Sequence, residues 1–173
     1  TCGLAGSVVF LVGLMFHREG ELVFEQFLAR HYAEEAAILS VFIDRLATAG
    51  VLVTFNGKAF DMTIVRDRGV FHGLDPPPAC RPPHLDLLHE ARRRWRGRTP
   101  NCRLQTLERL LFGRYRVGDI PGAAIPDAYH AFVDSGDGRR IRDILHHNLL
   151  HLLTMAQIVA ALLTGREPEF QER

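Results

Sequence analysis

The acid that most suggests chemistry is Asp61, which follows a short apolar run and a turn. Residues 51–55 (VLVTF) are apolar and rich in β-branched side chains, as expected of a buried strand. Asn56-Gly57 suits a tight turn because both residues tolerate a positive φ angle. Asp61 then stands in the first turn of a predicted helix, at the carboxyl end of a strand, where open α/β sheets bind ligands. Helix capping or the helix dipole alone would also explain an acid there.

Two histidines, His147 and His151, stand four residues apart in the last predicted helix. Residues at this spacing share a helix face, with Cβ atoms about 5–6 Å apart, so the two imidazoles could hold a transition metal. The zinc-protease pattern H-E-x-x-H has the same spacing, but Asn148 replaces the glutamate that acts there as general base. The pair could equally line a helix face and hydrogen-bond to its neighbours.

Residues 92–98 (RRRWRGR) combine five arginines with one tryptophan. Arginine contacts phosphate groups, and tryptophan can stack on an unpaired base, so this cluster could bind single-stranded nucleic acid. A solvated helix end whose cations complement the helix dipole would explain the same residues. Asp86 stands at the start of another predicted element, and helix capping is its default interpretation.

The elements that must position these residues indicate an α/β fold with a helical second half. We predict strands over residues 7–16 and 21–28 joined by a turn at 17–20, then a helix over 33–49, the strand 51–55 and a helix over 60–68. A proline-rich connector over 75–83 leads into helices predicted over 84–96, 104–112, 127–133 and 139–164.

Length and composition predict a single domain over residues 1–173 with ordinary globular composition. The net charge of +1 gives no global basic field, so a nucleic acid would have to be met by a local patch. The three cysteines include no CxxC pair, which argues against a disulfide scaffold or a zinc ribbon and favours a reducing, cytoplasmic compartment. The apolar run 8–16 is too short to span a membrane, and we expect no membrane partner.

Five motifs follow one another along the chain. They are FNGKAFD at 55–61, HLDLLH with ARR at 84–93, CRLQTLE at 102–108, DIPG with IP at 119–126, and HN at 147–148. Each motif is weak alone, but their ordered combination resembles the bacterial YprB-type branch of the ribonuclease H-like superfamily, which is related to the DEDD 3′–5′ exonucleases. This resemblance implies a ribonuclease H-like mixed sheet flanked by helices.

The resemblance also implies four acidic residues that hold two divalent ions. The first two belong to a D-x-E-T-x-G-L motif whose tail matches residues 1–6. We therefore expect both acids, and the first strand of the sheet, to lie upstream of residue 1. The third acid corresponds to Asp61. The fourth belongs to an H-N-x-x-D motif in which His147 and Asn148 match, whereas His151 takes the place of the aspartate.

We therefore predict a metal-dependent nuclease-type domain, a 3′–5′ exonuclease in the native protein, that hydrolyses phosphodiester bonds with two Mg²⁺ or Mn²⁺ ions. Asp61 is predicted to be a metal ligand and His147 the general base. His151 is predicted to be a substitute or a failed ligand, and as a substitute it would shift the metal preference from Mg²⁺ towards Mn²⁺ or Zn²⁺. The alternative is a catalytically degenerate domain that binds nucleic acid or a protein partner.

The expected nucleic-acid partner is DNA or RNA, bound at a single-stranded end. The residues predicted to contact it are Asn56, Lys58, Phe60, Arg92, Arg93, Arg94, Trp95 and Asn148. Without the two acids of the first motif, the chain as given is predicted to have no nuclease activity.

Overall fold

The chain begins with an antiparallel hairpin in a computed structural model, which describes residues 8–74 and 82–165. Strand β1 (Leu11–Arg18) pairs with strand β2 (Glu21–Leu28) along its whole length. The two linking residues, Glu19 and Gly20, have φ angles of 53° and 89°, as in the tight turns whose twist matches that of a hairpin. The predicted turn at 17–20 is wrong at its first two positions, because pairing extends to Arg18 opposite Glu21.

Helix α1 (Glu35–Ala47) follows a single 3₁₀ turn (Tyr32–Glu34) and packs on β1. Its apolar residues recur at helical spacing and bury one face against the hairpin, which forms one core of the molecule. The buried residues of this core are Val12, Ala29, Ile38, Phe42 and Leu46. Strand β3 (Leu52–Thr54) and helix α2 (Asp61–Phe71) come next, close to their predicted positions.

A second short strand, β4 (His84–Asp86), pairs in parallel with β3. This strand corrects the predicted helix over 84–96, because helix α3 (Leu87–Trp95) begins only after it. A three-residue strand is held in place by its hydrogen bonds to the neighbouring strand. That neighbour, β3, ends thirty residues before β4 begins, so no local pattern indicates the pairing. Most of the predicted proline connector, residues 75–81, lies outside the described part of the chain.

The second half is helical, with α4 (Leu104–Phe112), α5 (Ile125–Ser135) and α6 (Arg139–Thr164). Helices α4 and α6 have their predicted bounds, whereas α5 is two residues longer than predicted at each end. Pro126 in its first turn needs no backbone N–H, so α5 accommodates it. Helix α6 packs against β1, α3, α4 and α5. By length and composition alone it could also cross a membrane, a test that core helices pass as well.

The described strands form two separate pairs, β1 with β2 and β3 with β4. One pair is antiparallel and the other parallel, and helices pack on both. The predicted mixed α/β architecture with a helical C-terminal half is therefore confirmed. Helix α6 contacts β1 directly, and Val53 of β3 packs against the core that includes Ile158 of α6, so α6 lies close to both strand pairs.

Candidate active-site groove

A wide, largely apolar groove of about 2050 Å³ lies between the two strand pairs. Consecutive residues of β1 and of β3 line it, together with parts of α2 and α6 and the segment 96–104. Side chains alternate between the two faces of a strand, so a cavity lined by consecutive residues meets the edge of that strand. The groove therefore opens along the edges of β1 and β3 that no other strand within residues 8–74 and 82–165 covers, and it receives side chains from distant parts of the sequence.

Asp61 is the first residue of α2, and its side chain lines the groove. Burial raises the pKa of its carboxyl, and the negative charge of nearby Asp86 acts in the same direction. The N-cap residue of α2 is Phe60, which makes no side-chain cap hydrogen bond, and Asp61 stands one position later, in the first turn, where the helix dipole also favours an acid. A carboxylate that is poorly solvated and close to another acid would be stabilised by a cation in the groove.

Asp86 fixes the loop that carries Asp61. Its buried carboxylate accepts hydrogen bonds from the backbone N–H groups of Asn56 at 2.7 Å, Lys58 at 3.0 Å and Leu88 at 3.1 Å. Burial alone would raise the pKa of Asp86, but these three donors outweigh it and lower the pKa. The bond to Leu88 confirms the capping interpretation. The two bonds to the 56–58 turn are a second role, which no local pattern around Asp86 indicates.

The predicted turn at Asn56 is confirmed by its φ angle of 64°. The side chains of Asn56 and Lys58 are exposed on this turn, and Asn56 lines the groove. Phe60 is half-buried at the start of α2 and is not among the described residues that line the groove. Of these three residues predicted to contact nucleic acid, Asn56 thus lies directly on the groove.

Asn148 reaches the groove from α6 and is anchored to the hairpin. Its side-chain oxygen accepts a hydrogen bond from Gln26 Nε2 at 2.9 Å, and the same nitrogen donates to the carbonyl of Leu145 at 2.9 Å. Gly13 on β1 makes room for this contact, since a Cβ atom there would lie 2.0 Å from the Asn148 oxygen. The absence of a side chain at Gly13 therefore lets α6 approach the strand.

His147 and His151 lie side by side, as predicted, with ring centroids 4.3 Å apart. His151 lines the groove, whereas His147 is only 6% exposed and is not among the described lining residues. Burial, together with His147 and the cation of Arg116, lowers the pKa of His151 to about 3. His151 is therefore a neutral imidazole at physiological pH and can accept a hydrogen bond or bind a metal ion.

Asp119 is a site residue that the sequence did not reveal. Its two carboxylate oxygens lie 2.9 and 2.8 Å from Nδ1 of His147, and Arg116 Nη1 lies 3.1 Å from the second oxygen. The DIPG motif contains Asp119, but no local pattern indicates a partner 28 residues away. The contact is made by folding, which places the loop after α4 against the middle of α6.

The arginine cluster reaches the groove only in part. Arg92 lines it and is exposed, whereas Arg93 pairs with Glu90, and Arg94 donates to the carbonyl of Gly165 at 3.5 Å. Arg96, from the same predicted cluster, also lines the groove, and so does Arg103, which was not predicted as a site residue.

The prediction that Trp95 stacks on a base is wrong. Its side chain is 0% exposed and belongs to a core that includes Leu87, Leu107 and Ile158. A fully buried indole has no face on which a base could stack. In the sequence, an indole between arginines suggested a binding surface, but its position on the apolar face of α3 decides its role.

The donor set for a metal is incomplete in the described residues. They contain no group of three or more His, Cys, Asp and Glu side chains that could hold a metal ion. The groove offers one carboxylate from Asp61 and one imidazole from His151. These two side chains can supply part of a donor set, and the part of the chain that is described does not by itself form a two-metal centre.

The fold agrees with the family that the chain matches. Residues 1–163 match the family described as the RNase_H superfamily, so the chain belongs to that superfamily of nuclease-type domains. Enzymes of this superfamily generally use divalent metal ions.

The predicted relationship to the YprB-type branch is also confirmed. The chain is 31% identical over 156 residues to "Uncharacterized protein YprB" of Bacillus subtilis (strain 168). The aligned region covers 90% of this chain and 38% of that protein. The chain therefore spans well under half the length of this relative. No solved structure matches the chain.

Proposed function

We propose that this chain is a nuclease-type domain that acts on phosphodiester bonds of nucleic acid, and that the native protein is a cytoplasmic 3′–5′ exonuclease using Mg²⁺ or Mn²⁺. One observation carries the proposal. Asp61 and His151 are ninety residues apart in sequence, yet both line one groove that also receives Asn56 and Asn148. These are the positions at which the superfamily resemblance expects its metal-binding and substrate-binding groups.

The charge distribution of the groove supports a nucleic-acid substrate. The side chains of Arg92, Arg96 and Arg103 lie along one wall, and no ion pair to them is found within residues 8–74 and 82–165. Arginines that line a groove attract phosphates, and the half-buried rings of Phe16 and Phe55 in the same lining are surfaces on which unpaired bases can stack. A single-stranded end fits this combination better than a duplex, whose bases are stacked inside.

The groove-facing groups have chemistry suited to this role. The Asp61 carboxylate, with its raised pKa, gains from any cation that enters the groove. The neutral His151 imidazole can accept a hydrogen bond at a ring nitrogen. His147, the predicted general base, lies buried directly behind His151 and stays a prediction. Asn148, held by Gln26, can offer its amide N–H groups to a phosphate or sugar oxygen.

The test is hydrolysis of end-labelled single- and double-stranded oligonucleotides, with Mg²⁺ and then Mn²⁺. The protein encoded by the complete gene and the 173-residue chain should be compared. We expect activity in the former, lost by about 100-fold or more in Asp61→Ala, the scale on which removal of a catalytic group acts. Asp67→Ala, an exposed acid on the same helix, is the matched control. Equal activity in Asp61→Ala and Asp67→Ala would refute the assignment.

A second candidate function is a catalytically degenerate domain that binds nucleic acid or a protein partner. The observation that favours it is His151, an imidazole at the position where the motif has an aspartate. His151→Asp restores that acid, and His146→Asp, on an exposed residue of the same helix, is its control. Silence in the wild type with activity in His151→Asp alone would mean a nuclease fold disabled at one position. Oligonucleotide binding that is indifferent to Asp61→Ala and never accompanied by cleavage would favour the binding module.

A further inference from the structure

His147 is held by a chain of buried ion pairs that begins on α4. Glu108, 1% exposed, bonds to the guanidinium groups of Arg114 and Arg116. Arg116 also bonds to Asp119, which in turn contacts Nδ1 of His147. The acids and the arginines alternate along this chain, so each buried charge has an opposite neighbour. This series of ion pairs ends at His147, which lies directly behind the groove.

The geometry determines which nitrogen of His147 carries a proton. Burial alone would raise the pKa of Asp119, but the bonds from His147 and Arg116 outweigh it and lower the pKa. Asp119 is therefore an anion and can only accept hydrogen bonds. Since both of its oxygens face Nδ1 of His147, that nitrogen must be the donor. In the neutral ring, Nε2 is then left as an acceptor.

The packing of the two rings carries this restraint to the groove. The ring of His147 is buried and lies 4.3 Å from the ring of His151, at an interplanar angle of 57°. A ring fixed by a carboxylate on one side presents a fixed surface on the other. His151 rests on that surface and faces the groove, where Asp61 also lies.

We propose that Asp119 is a positioning residue that holds His147 in its Nδ1-protonated form and in one orientation. His147 in turn supports the ring of His151, and His151 is the imidazole that contacts the ligand in the groove. The catalytic part of this inference rests on the proposed nuclease function. The positioning part does not, because it concerns protons and ring orientations in the free protein.

The test is nuclear magnetic resonance of the chain labelled with ¹⁵N-histidine at about pH 8, above the ordinary histidine pKa of about 6.5. His147→Gln and His151→Gln variants assign the ring resonances. In the wild type we expect Nδ1 of His147 to be protonated. A wild-type ring of His147 whose only proton is on Nε2 would overturn the proposal.

Asp119→Asn sharpens the test because it preserves shape and removes the charge. Arg116 can only donate, so it takes the amide oxygen of the new asparagine at the position of Oδ2, and the NH₂ group takes the position of Oδ1. Nδ1 of His147 then faces one acceptor and one donor in place of two acceptors. It is no longer restricted to donating, so the Nε2-protonated ring becomes populated, as in the serine-protease triad when its aspartate becomes asparagine. The His151 resonances should shift as well. Asp134→Asn, on an exposed acid of α5, should change neither ring. A folded Asp119→Asn variant with both rings unchanged would overturn the proposal.

Activity separates this inference from the proposed function. In an active protein, His151→Gln should lower kcat more than His147→Gln does, and Asp119→Asn should lower kcat by about 10-fold or more with KM changed far less. A larger loss in His147→Gln than in His151→Gln would overturn the assignment of His151. If neither the wild type nor any variant cleaves nucleic acid, the nuclease proposal fails. In that case the position of the proton on the His147 ring still tests the role of Asp119.

Discussion

Gly13 gives the sharpest test of how α6 is seated on the hairpin. In Gly13→Ala the new methyl group would lie 2.0 Å from the side-chain oxygen of Asn148 and 2.8 Å from its Cγ atom. Both distances are far inside van der Waals contact, so the amide group of Asn148 must move. Because that group accepts the hydrogen bond from Gln26, the movement breaks the polar contact that anchors α6 to β2.

The expected cost follows from three terms. Loss of a net hydrogen bond costs about 1 kcal/mol, and forcing an extra methyl group into a packed contact costs about 1–3 kcal/mol. Replacing glycine by alanine in a strand returns about 0.5–1 kcal/mol of backbone entropy. We therefore expect Gly13→Ala to lower the free energy of unfolding by about 2 kcal/mol, which at this chain length lowers Tm by about 4–8 °C.

The assay is urea unfolding followed by circular dichroism, with Gly50→Ala as control. A Cβ atom on Gly50 would meet nothing within 4 Å, so that variant should be nearly neutral. The decisive measurement is a double-mutant cycle, in which Asn148→Ala removes the group that the new methyl would strike. In that background Gly13→Ala should be neutral or stabilising. An unchanged cost there, or equal stability of Gly13→Ala and Gly50→Ala, would refute the proposed contact.

Three further predictions concern the turn before α2, the groove-lining Arg92 and the buried Trp95. Asp86→Asn should be less stable than the wild type at neutral pH, and the difference should shrink below about pH 4. The pKa of Asp86 is lowered by folding, so its contribution is present above the unfolded value and is lost as the pH falls. Urea unfolding at several pH values measures this, and a constant difference would contradict it. Arg92→Ala should weaken oligonucleotide binding and reduce its salt slope by about 0.7, the value for one phosphate contact on a single strand. Trp95→Leu, which removes the aromatic ring, should leave the affinity of the folded protein for oligonucleotides unchanged, and a loss of affinity in a folded Trp95→Leu variant would restore the stacking role.

Elements with a long repeating pattern could be predicted from the sequence. The bounds of β2, α4 and α6 agree with prediction because each is a continuous periodic segment with a clear stop signal, such as Gly113 after α4. Strand β4 could not be predicted in this way. Its three residues become a strand only through pairing with β3, and the same letters suit the first turn of a helix.

The site shows the same division between local and non-local information. Asp61 and His151 could be singled out because motifs surround them, and the tight turn at Asn56 has a local cause in its residue type. The partnership of Asp119 with His147 depends on where a loop meets a helix, so no window of sequence contains it. The prediction that Trp95 stacks on a base was wrong for the opposite reason. Its neighbours are charged, but the helix turns its side chain inward, and burial rather than composition determines what it can touch.

The free edges of β1 and β3 have a consequence for handling this polypeptide. Along the groove, the described strands carry backbone N–H and C=O groups on edges that no other described strand covers. Uncovered edges act as templates for strands of neighbouring molecules, and charged side chains are the usual protection against such association. Arg18 and Arg45 line the same opening as the β1 edge. These arginines can thus favour solubility as well as ligand binding. Replacing them with neutral residues for binding studies would also favour association of the molecules through their strand edges.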